Sequence, residues 1–438
     1  MSTEKNIQVS ISDPILVHAP KMNDAIAKWG VYAIPRLWRN REGELIVRLN
    51  GEMDTADEEN MQQAPNLYFV SRDDGDTWEL VENGEERYDI TVITGINPPY
   101  ITRRNGDRLA VKYKKNLSPI RTENYISEYI MPNHAEKIQI YRYGEIPAEC
   151  KGFCLEVTKA GTNATKEFDI DFDFPEREVL IVSHGMAVDG SGKYVPVEKY
   201  MHPYIFKSNY FSGLTELLDG TLAALCYGQN PAVSDRCCQE VYLVVSQDDG
   251  ITWRKRGTVA SGIDEVPYGY GGDSGEISLT MASNGDLLCV MRMDMSVNPN
   301  EAQPICDAMY CISKDGGYTW SKPVSVADSS VTPHMVGLAD GIVVCIYGRP
   351  GVHMKYSADN GETWSKSYPI IGKTLEEERA AGRSDADSKY FDTVSYSNTF
   401  VEKIDENTVL VLYTDVKYCD GSGRLTKASL VKKIRITK

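Results

Sequence analysis

The sequence predicts an all-β protein made of repeated units, and two kinds of repeat carry that prediction. One is a turn with Gly, Asn or Asp followed by an apolar run, and the other is a short Ser-x-Asp-x-Gly-x-Thr-Trp pattern. Helical periodicity is almost absent between the units, and the one stretch that favours a helix, residues 374–382, is placed in a loop. Self-similarity of this kind is typical of folds that grow by repetition.

The first repeat occurs in six units. Each unit joins a short extended segment to an apolar strand through a turn, which is the pattern of a β-hairpin. The apolar strands with their turns occupy residues 41–49, 105–113, 219–227, 284–292, 339–347 and 405–413. Six such units, with almost no helical periodicity between them, indicate a repeated β architecture.

The second repeat occurs four times, at Ser71–Trp78, Ser246–Trp253, Ser313–Trp320 and Ser357–Trp364. The chemistry of its fixed residues is that of a tight turn. An Asp carboxylate accepts hydrogen bonds from the N–H groups of the turn, and Gly supplies a positive φ angle. The Trp side chain packs the turn against the next strand. The motif therefore predicts a structural role.

These motifs resemble the Asp boxes of the sialidase (neuraminidase) superfamily, whose catalytic domain is a six-bladed β-propeller. Boxes and hairpins together cover the chain from about residue 30 to 420. The resemblance implies one propeller domain over residues 1–438, with four-stranded blades and with the boxes on the outer rim, away from the active site. The long interval between Gly106 and Gly220 predicts an enlarged second blade, with an insertion within about residues 114–200. In the insertion, one more strand is predicted from the alternating residues Phe168, Ile170, Phe172 and Phe174.

Composition excludes some functions. There are 63 acidic and 47 Lys or Arg residues, and the net charge of −16 makes a nucleic-acid or anionic-membrane partner unfavourable. No apolar stretch is long enough to span a bilayer, and the first residues contain no apolar signal core, so a cytoplasmic location is expected.

The ten cysteines predict thiols rather than disulfides. Cys226, Cys289, Cys311 and Cys345 lie in apolar runs, where a free Cys behaves as a small buried hydrophobe. The pairs Cys150–Cys154 and Cys237–Cys238 have no second pair or His at zinc-site spacing, so no metal and no cofactor are expected.

The resemblance also assigns catalytic candidates. Glu276 and Arg292 match the family's glutamate and its second arginine, and Arg349 matches its later arginine. Tyr396, in a Tyr-Ser pair before the last inner strand, matches the nucleophilic tyrosine. A phenol is a weak nucleophile, so an adjacent carboxylate must take its proton, and Glu276 is the candidate base. Arg suits the binding of an acidic sugar because its planar group contacts a carboxylate through two hydrogen bonds.

The general acid is expected in the loop after the first hairpin, where the family has an aspartate. Asp54 and Asp57 both lie there, with a slight preference for Asp57 by spacing. Asn97 and His202 stand where inner strands begin and are predicted to contact the substrate. Asp273 and His334 occupy similar positions, although a His there is more often a structural hydrogen bonder.

One departure from the family concerns the first strand. The family has an Arg two residues before a Pro, and this chain has Ala33 there, followed by Ile34, Pro35 and Arg36. Arg36 is displaced by three places, an odd offset that points to the opposite face of a strand. Arg48, Arg103 and the insertion of blade 2 are the candidates to compensate for the missing cation.

Three functions remain open from the sequence. The preferred one is an exo-acting glycoside hydrolase of the sialidase type, which cleaves a terminal, acidic sugar from a small glycan through a tyrosine nucleophile. The second is a glycosidase or lyase of the same fold that acts on another sugar, such as a uronic acid or a deoxy sugar. The third is a propeller that binds glycan or protein without catalysis.

Overall fold

The fold is taken from a computed structural model of the 438-residue chain. The structure describes residues 7–19, 35–40, 42–49, 66–84, 88, 100–113, 125–131, 136–147, 153–162, 164–173, 178–184, 186–188, 194–196, 205–206, 212–229, 239–261, 276–293, 306–329, 331–382, 399–423 and 425–438.

Nearly all of the regular structure in these ranges is β-strand. The strands of the first half are β1 (Gln8–Ile11), β2 (Ile15–His18), β3 (Arg36–Arg39), β4 (Leu45–Leu49), β5 (Leu67–Ser71), β6 (Glu79–Val81), β7 (Tyr100–Thr102), β8 (Arg108–Tyr113), β9 (Ser127–Met131), β10 (Glu136–Arg142), β11 (Phe153–Thr158), β12 (Thr165–Asp169), β13 (Asp171–Phe172), β14 (Glu178–His184), β15 (Met186–Val188) and β16 (Tyr194–Pro196).

The strands of the second half are β17 (Ile205–Phe206), β18 (Ser212–Glu216), β19 (Leu222–Gln229), β20 (Gln239–Ser246), β21 (Thr252–Ser261), β22 (Ile277–Met281), β23 (Leu287–Met291), β24 (Ala308–Ser313), β25 (Val324–Ala327), β26 (Val331–Gly337), β27 (Val343–Gly348), β28 (Val352–Ser357), β29 (Tyr368–Ile371), β30 (Phe400–Asp405), β31 (Thr408–Cys419) and β32 (Leu425–Thr437).

Six antiparallel sheets form the blades of a propeller. In chain order they are β3-β4-β5-β6, β7-β8-β11-β12, β18-β19-β20-β21, β22-β23-β24-β25, β26-β27-β28-β29 and β30-β31-β32, here called blades 1 to 6. The first strands of successive blades from β7 to β30 contact each other, and β30 contacts β3, so these strands are the innermost. The predicted all-β, six-bladed propeller is confirmed.

The hairpin between the first two strands of each blade turns where the repeats predicted. Gly43, Gly106, Gly220, Gly285 and Gly341 all have φ angles between 74° and 91°, in the left-handed region that Gly adopts without strain. In blade 6 the turn uses Asn407 instead, whose backbone N–H donates to the Asp405 carboxylate at 2.7 Å. All six turns lie at the same end of the inner strands, opposite to the end where β22, β26 and β30 begin.

The four Ser-x-Asp-x-Gly-x-Thr-Trp segments share one hydrogen-bond pattern. In the first, Asp73 accepts from the Ser71 hydroxyl at 2.7 Å and from the Thr77 N–H at 2.9 Å, and the Trp78 indole donates to the Gly75 carbonyl at 3.2 Å. The Asp carboxylates of the other three accept from the same positions. These hydrogen bonds lower the pKa of Asp73 to about 2, the largest contribution coming from the Thr77 hydroxyl.

The glycines of these segments also join the blades. Gly75, Gly250, Gly317 and Gly361 each have a φ angle of 93° to 95°. Each one lies against a leucine of the preceding blade, and the four leucines are Leu410, Leu155, Leu243 and Leu288. Gly is therefore required twice in each turn: for the positive φ angle, and because a side chain would collide with the leucine of the preceding blade.

Two strands from the beginning of the chain complete blade 6. β1 pairs antiparallel with β32, with Gln8 opposite Thr437, and β2 pairs with another part of β32. These strands lie outside residues 30–420, the part of the chain that the repeats cover. Blade 6 is thus completed by strands that precede blade 1 in the sequence.

The segment between β8 and β18 contains the two outer strands of blade 2 and, in addition, two small sheets. β9, β10, β14 and β17 form a separate four-stranded sheet, and β15 and β16 form a two-stranded ribbon. The predicted strand through Phe168 and Phe172 divides after Asp169. β12 pairs with β11 of blade 2, whereas β13 pairs in parallel with β21 of blade 3. Ile170 and Phe172 are buried in the core between these blades, which explains the division. Phe174 lies outside the described residues.

The predicted helix is α1 (Leu375–Ala380), in the connection between β29 and β30. Thr374 and Glu377 form a capping box that satisfies two N–H groups at its start. Cys226, Cys289, Cys311 and Cys345 are buried within strands, as the sequence predicted. In the described part of the chain, no helix combines the length and the apolar character needed to cross a membrane.

Candidate active site

Glu276 and Arg292 meet at the end of the blade 4 hairpin. Glu276 directly precedes β22 and Arg292 directly follows β23, and the Arg292 N–H donates to the Glu276 carbonyl at 3.0 Å, which extends the ladder by one pair. Their side chains form a salt bridge of 2.7 Å between Nη1 and Oε1. The glutamate side chain is only 7% exposed and the arginine 23%. The structure thus brings together the two residues that the sequence assigned to this blade.

The second carboxylate oxygen of Glu276 is held by the next blade. Its Oε2 accepts a hydrogen bond of 2.8 Å from the backbone N–H of Thr332, at the start of β26. Both oxygens of this buried carboxylate are therefore hydrogen-bonded, which is what burial of a charged group requires. Two hydrogen-bond partners fix the orientation of this carboxylate, and with it the positions from which its oxygens can accept a proton.

Thr399 and Phe400 of blade 6 contact the start of β26, beside Glu276. The Thr399 N–H donates to the Thr332 hydroxyl at 3.1 Å, and its carbonyl accepts from Nε2 of His334 at 2.8 Å. His334 also packs edge-on against the Phe400 ring, with 5.5 Å between the ring centroids. Thr332, His334 and Thr399 are all buried.

His334 is a structural hydrogen bonder, the more common of the two roles considered for it. Because a carbonyl can only accept, Nε2 must carry the proton of a neutral ring. Burial lowers the pKa of His334 to about 3, with a smaller contribution from the positive charge of Arg36. At neutral pH the ring therefore donates one hydrogen bond and carries no charge.

Blade 1 contributes two arginines. Arg36 begins β3 and stands directly opposite Arg48 on β4. The Arg36 guanidinium lies 4.6 Å from the centroid of the Phe400 ring, a cation–π contact across to blade 6. Burial, and secondly the charge of Arg48, lower the pKa of Arg36 to about 10. Within the described residues, the buried Nε of Arg48 has no hydrogen-bond partner.

Arg349 directly follows β27, at the same end of the sheet as Thr332. Gly348 stands opposite Val331 in this antiparallel pair, so Arg349 lies at the end of the hairpin where β26 begins. Both peptide bonds flanking Arg349 are cis. By contrast, Arg103 lies at the turn end of blade 2, where it binds Glu216 and Asp249. The structure therefore does not bring Arg103 to Glu276.

Several predicted residues lie outside the described parts of the chain, and their roles stay predictions. These are Tyr396, Asp54, Asp57, Asn97, His202 and Asp273, together with Ala33. The odd offset would point Arg36 to the opposite face only if one strand ran from Ala33 to Arg36. β3 begins only at Arg36, so the described residues do not test that offset. Thr332 and Thr399 were not predicted; the signal that points to Thr332 is Pro333, because Pro inside a strand marks an edge or a bulge.

A second polar cluster occupies the turn end of the inner strands. The Tyr100 hydroxyl accepts from the Arg39 N–H and lies 3.4 Å from Oε2 of Glu402. The Arg108 guanidinium lies 4.4 Å from the centroid of the Tyr100 ring. Burial raises the pKa of Glu402 to about 7, against the opposing effects of Arg39, the Tyr100 hydrogen bond and Arg108. This cluster joins blades 6, 1 and 2.

No metal site is apparent in the described residues, where no three His, Cys, Asp or Glu side chains stand close enough to share an ion. The chemistry available at the axial end is that of a fixed carboxylate paired with Arg292, with Arg36, Arg48 and Arg349 at the corresponding end of their own blades. Such a group can take a proton from a nucleophile, and the arginines can bind an anion.

The comparisons agree with the fold. The family model of the BNR/Asp-box repeat matches residues 355–366, which contain the fourth Ser-x-Asp-x-Gly-x-Thr-Trp segment. The chain is a six-bladed β-propeller that carries an Asp-box repeat. A protein of unknown function from Dyadobacter fermentans has a similar solved structure, with a TM-score of 0.54 and 15% sequence identity, over 98% of this chain and 99% of that one. No curated protein matches this chain significantly.

Two enzymes are among the other solved structures similar to this Asp-box propeller. The Hadza microbial sialidase Hz136 has a TM-score of 0.41 and 14% identity, over 92% of this chain and 65% of that one. The α-L-arabinofuranosidase Arb93A of Fusarium graminearum has a TM-score of 0.46 and 10% identity, over 95% and 96%. At these identities the roles of side chains do not transfer from those enzymes to this chain.

Proposed function

We propose that this Asp-box propeller is an exo-acting glycoside hydrolase of the sialidase type, which removes a terminal, acidic sugar from a small glycan. The observation that carries the proposal is the fixed carboxylate of Glu276. Its two oxygens are held by Arg292 and by the Thr332 N–H, at the end of the inner strands where Arg36, Arg48 and Arg349 also lie.

The proposed first step forms a bond between the Tyr396 oxygen and the anomeric carbon, while the bond from that carbon to the leaving oxygen breaks. Glu276 takes the phenolic proton, and Asp57 or Asp54 gives a proton to the leaving oxygen. In the second step water attacks the same carbon, gives its proton to that aspartate, and releases Tyr396, which recovers its proton from Glu276. The enzyme ends as it began.

The arginines supply the binding of the acidic group. Arg349 and Arg292 are proposed to contact the sugar carboxylate, with Asn97 and His202 as further polar contacts. Arg292 is already engaged by Glu276 in the structure, so it also aligns the base. A fixed array of charged donors costs little reorganisation when the transition state forms. We place the reaction in the cytoplasm and in a single propeller domain.

The first experiment is turnover of a fluorogenic α-sialoside, measured beside uronic-acid and neutral aryl glycosides. Tyr396→Phe and Glu276→Gln are expected to abolish turnover. Tyr413→Phe and Glu240→Gln are the matched controls. Tyr413 is a buried tyrosine on β31, and Glu240 is a buried glutamate that is paired with Lys255 at 2.5 Å. Full activity in Tyr396→Phe would contradict the mechanism.

A second function is favoured by one feature of the sequence. Ala33 stands where the sialidase family has the first of the arginines that bind the sugar carboxylate. Tyr396-dependent release of a uronic acid or a deoxy sugar, without turnover of the sialoside, would support a glycosidase or lyase with changed specificity. No turnover of any glycoside, together with glycan binding, would support a non-catalytic propeller.

A further inference from the structure

β26 contains a β-bulge close to its first residue. Val331 stands opposite Gly348 and His334 opposite Ile346, so two residues of β26, Thr332 and Pro333, face the single residue Tyr347. Pro333 fits this position because a bulged residue gives no hydrogen bond to the ladder. Thr332 has a φ angle of 43°, in the left-handed region, where a β-branched residue is an outlier.

This unfavourable conformation directs two polar groups of Thr332 to two other blades. Its N–H donates to Oε2 of Glu276 in blade 4 at 2.8 Å, and its hydroxyl accepts from the Thr399 N–H in blade 6 at 3.1 Å. The three residues are 6%, 7% and 0% exposed, so water does not compete for these hydrogen bonds. Backbone strain of this kind persists only where the surroundings hold it in place.

His334 strengthens the connection to blade 6. Its Nε2 donates to the Thr399 carbonyl at 2.8 Å, so both backbone polar groups of Thr399 are bound by residues of β26. Thr399 is three residues after Tyr396 along the chain. β30, which begins four residues after the proposed nucleophile, is therefore anchored to the residue that holds the proposed base.

We infer that Thr332 is a positioning residue that sets Glu276 and the Tyr396 segment relative to each other, with His334 as its support. The inference rests on the proposed function. Proton transfer from a phenol to a carboxylate needs about 2.6–3.2 Å between the oxygens. A misplacement of about 1 Å costs on the order of a hundredfold in rate. One residue that binds both sides limits such errors.

The test distinguishes the contribution of the Thr332 hydroxyl from that of its β-branched shape. Thr332→Val removes the hydroxyl and keeps the β-branched side chain, whereas Thr332→Ser keeps the hydroxyl. We expect Thr332→Val to lower kcat roughly ten- to a hundredfold with little change in KM, and Thr332→Ser to remain close to the wild type.

Thr280→Val is the matched control. The Thr280 hydroxyl also accepts a backbone N–H of the next blade, that of Gly337 at 2.8 Å, but it lies further along β22 from Glu276. We expect this variant to keep kcat. Equal losses of kcat in Thr280→Val and Thr332→Val would show a general effect of loosened blades and would overturn the inference.

A second readout does not depend on activity. Hydrogen exchange of the Thr399 amide, followed by mass spectrometry or NMR, should be faster in Thr332→Val than in Thr332→Ser, because the amide loses its acceptor. Unchanged exchange overturns the inference whether or not a substrate is known. If Thr332→Val keeps its kcat while Tyr396→Phe is inactive, the inference about Thr332 is overturned and the proposed function stands. Full turnover in Tyr396→Phe instead overturns the proposed function.

Discussion

Arg36 and Arg48 stand directly opposite each other on β3 and β4, and Arg36 is also packed on the Phe400 ring. Two like charges placed side by side raise the local positive potential and oppose folding. The depressed pKa of Arg36, about 10, has burial as its main cause and the charge of Arg48 as its second. An anionic group of a substrate placed beside the pair would be attracted by both charges.

Replacing Arg48 tests whether this pair compensates for Ala33. We expect Arg48→Met to raise KM for an acidic sugar about tenfold or more, because a charge-assisted hydrogen bond contributes roughly 1.5–3 kcal/mol. Turnover of a neutral glycoside should change little. The measurement is kcat and KM on both substrates, with Arg254→Met on the exposed part of β21 as the control. An equal loss on both substrates would indicate a collapsed site rather than a lost charge.

The Glu276–Arg292 pair should be strongly coupled in stability. Arg292→Met leaves a buried carboxylate without its cation, and we expect the free energy of unfolding to fall by roughly 3 kcal/mol. Glu276→Gln combined with Arg292→Met should cost less than the sum of the single changes, because no charge is then left buried. Denaturant unfolding of the four proteins of this double-mutant cycle gives the coupling. Strict additivity would mean that the salt bridge contributes little.

Gly317 should tolerate substitution poorly for two separable reasons. Its φ angle of 95° disfavours any side chain, and an added β-carbon would lie 2.1 Å from Cδ2 of the fully buried Leu243. We expect Gly317→Ala to cost roughly 1–2 kcal/mol for the backbone and a further 1–3 kcal/mol for overpacking.

Gly220 provides the control for the backbone part of that cost. Its φ angle is 86°, and an added β-carbon would meet nothing within 4 Å. Gly220→Ala should therefore show only the first cost. Equal losses of unfolding free energy in the two variants would contradict a seating role for Gly317 on the neighbouring blade.

Glu402 predicts a pH dependence with a definite sign. The pKa of this carboxyl is raised to about 7 in the folded protein, from an ordinary value of 4.5. Between these values the folded state binds more protons than the unfolded state, so this group makes stability fall as pH rises from about 4.5 to about 7. We expect Glu402→Gln to be more stable than the wild type at pH 8 and similar to it at pH 4.

Thermal unfolding at the two pH values checks the prediction, with Glu406→Gln as the control. Glu406 is close in sequence, but its side chain is 76% exposed. Its replacement should leave the pH profile unchanged. A Glu402→Gln variant that loses stability equally at both pH values would show that the group acts through packing or hydrogen bonds alone.

The repeats predicted the fold because each one encodes local backbone geometry. Gly at a positive φ angle and Asp as an acceptor of turn N–H groups act within eight residues, so their sequence pattern suffices. The pairing of Glu276 with Arg292 was equally accessible, since both flank one hairpin.

The rest of the site depends on contacts between blades. That Arg36 faces Arg48 and Phe400 follows from the register of β3 against β4 and from the contact of β3 with β30. The positive φ angle of Thr332 is imposed by partners in two other blades, and the sequence shows only Pro333 beside it. The paired strands β1 and β32 are separated by almost the whole chain, so no local pattern connects them.

That last pairing has a consequence for how the protein is made. During synthesis β1 is made before blades 1 to 5 and its partner β32 after them, so blade 6 cannot be completed until the rest of the propeller has been translated. Contacts between such distant parts of a chain form slowly, because a large loop must close before they contribute any energy. Until then the nascent chain carries blades with exposed strand edges, which can pair with other chains. We therefore expect yield and solubility to depend more on β1, β2 and β32 than on any residue at the axis.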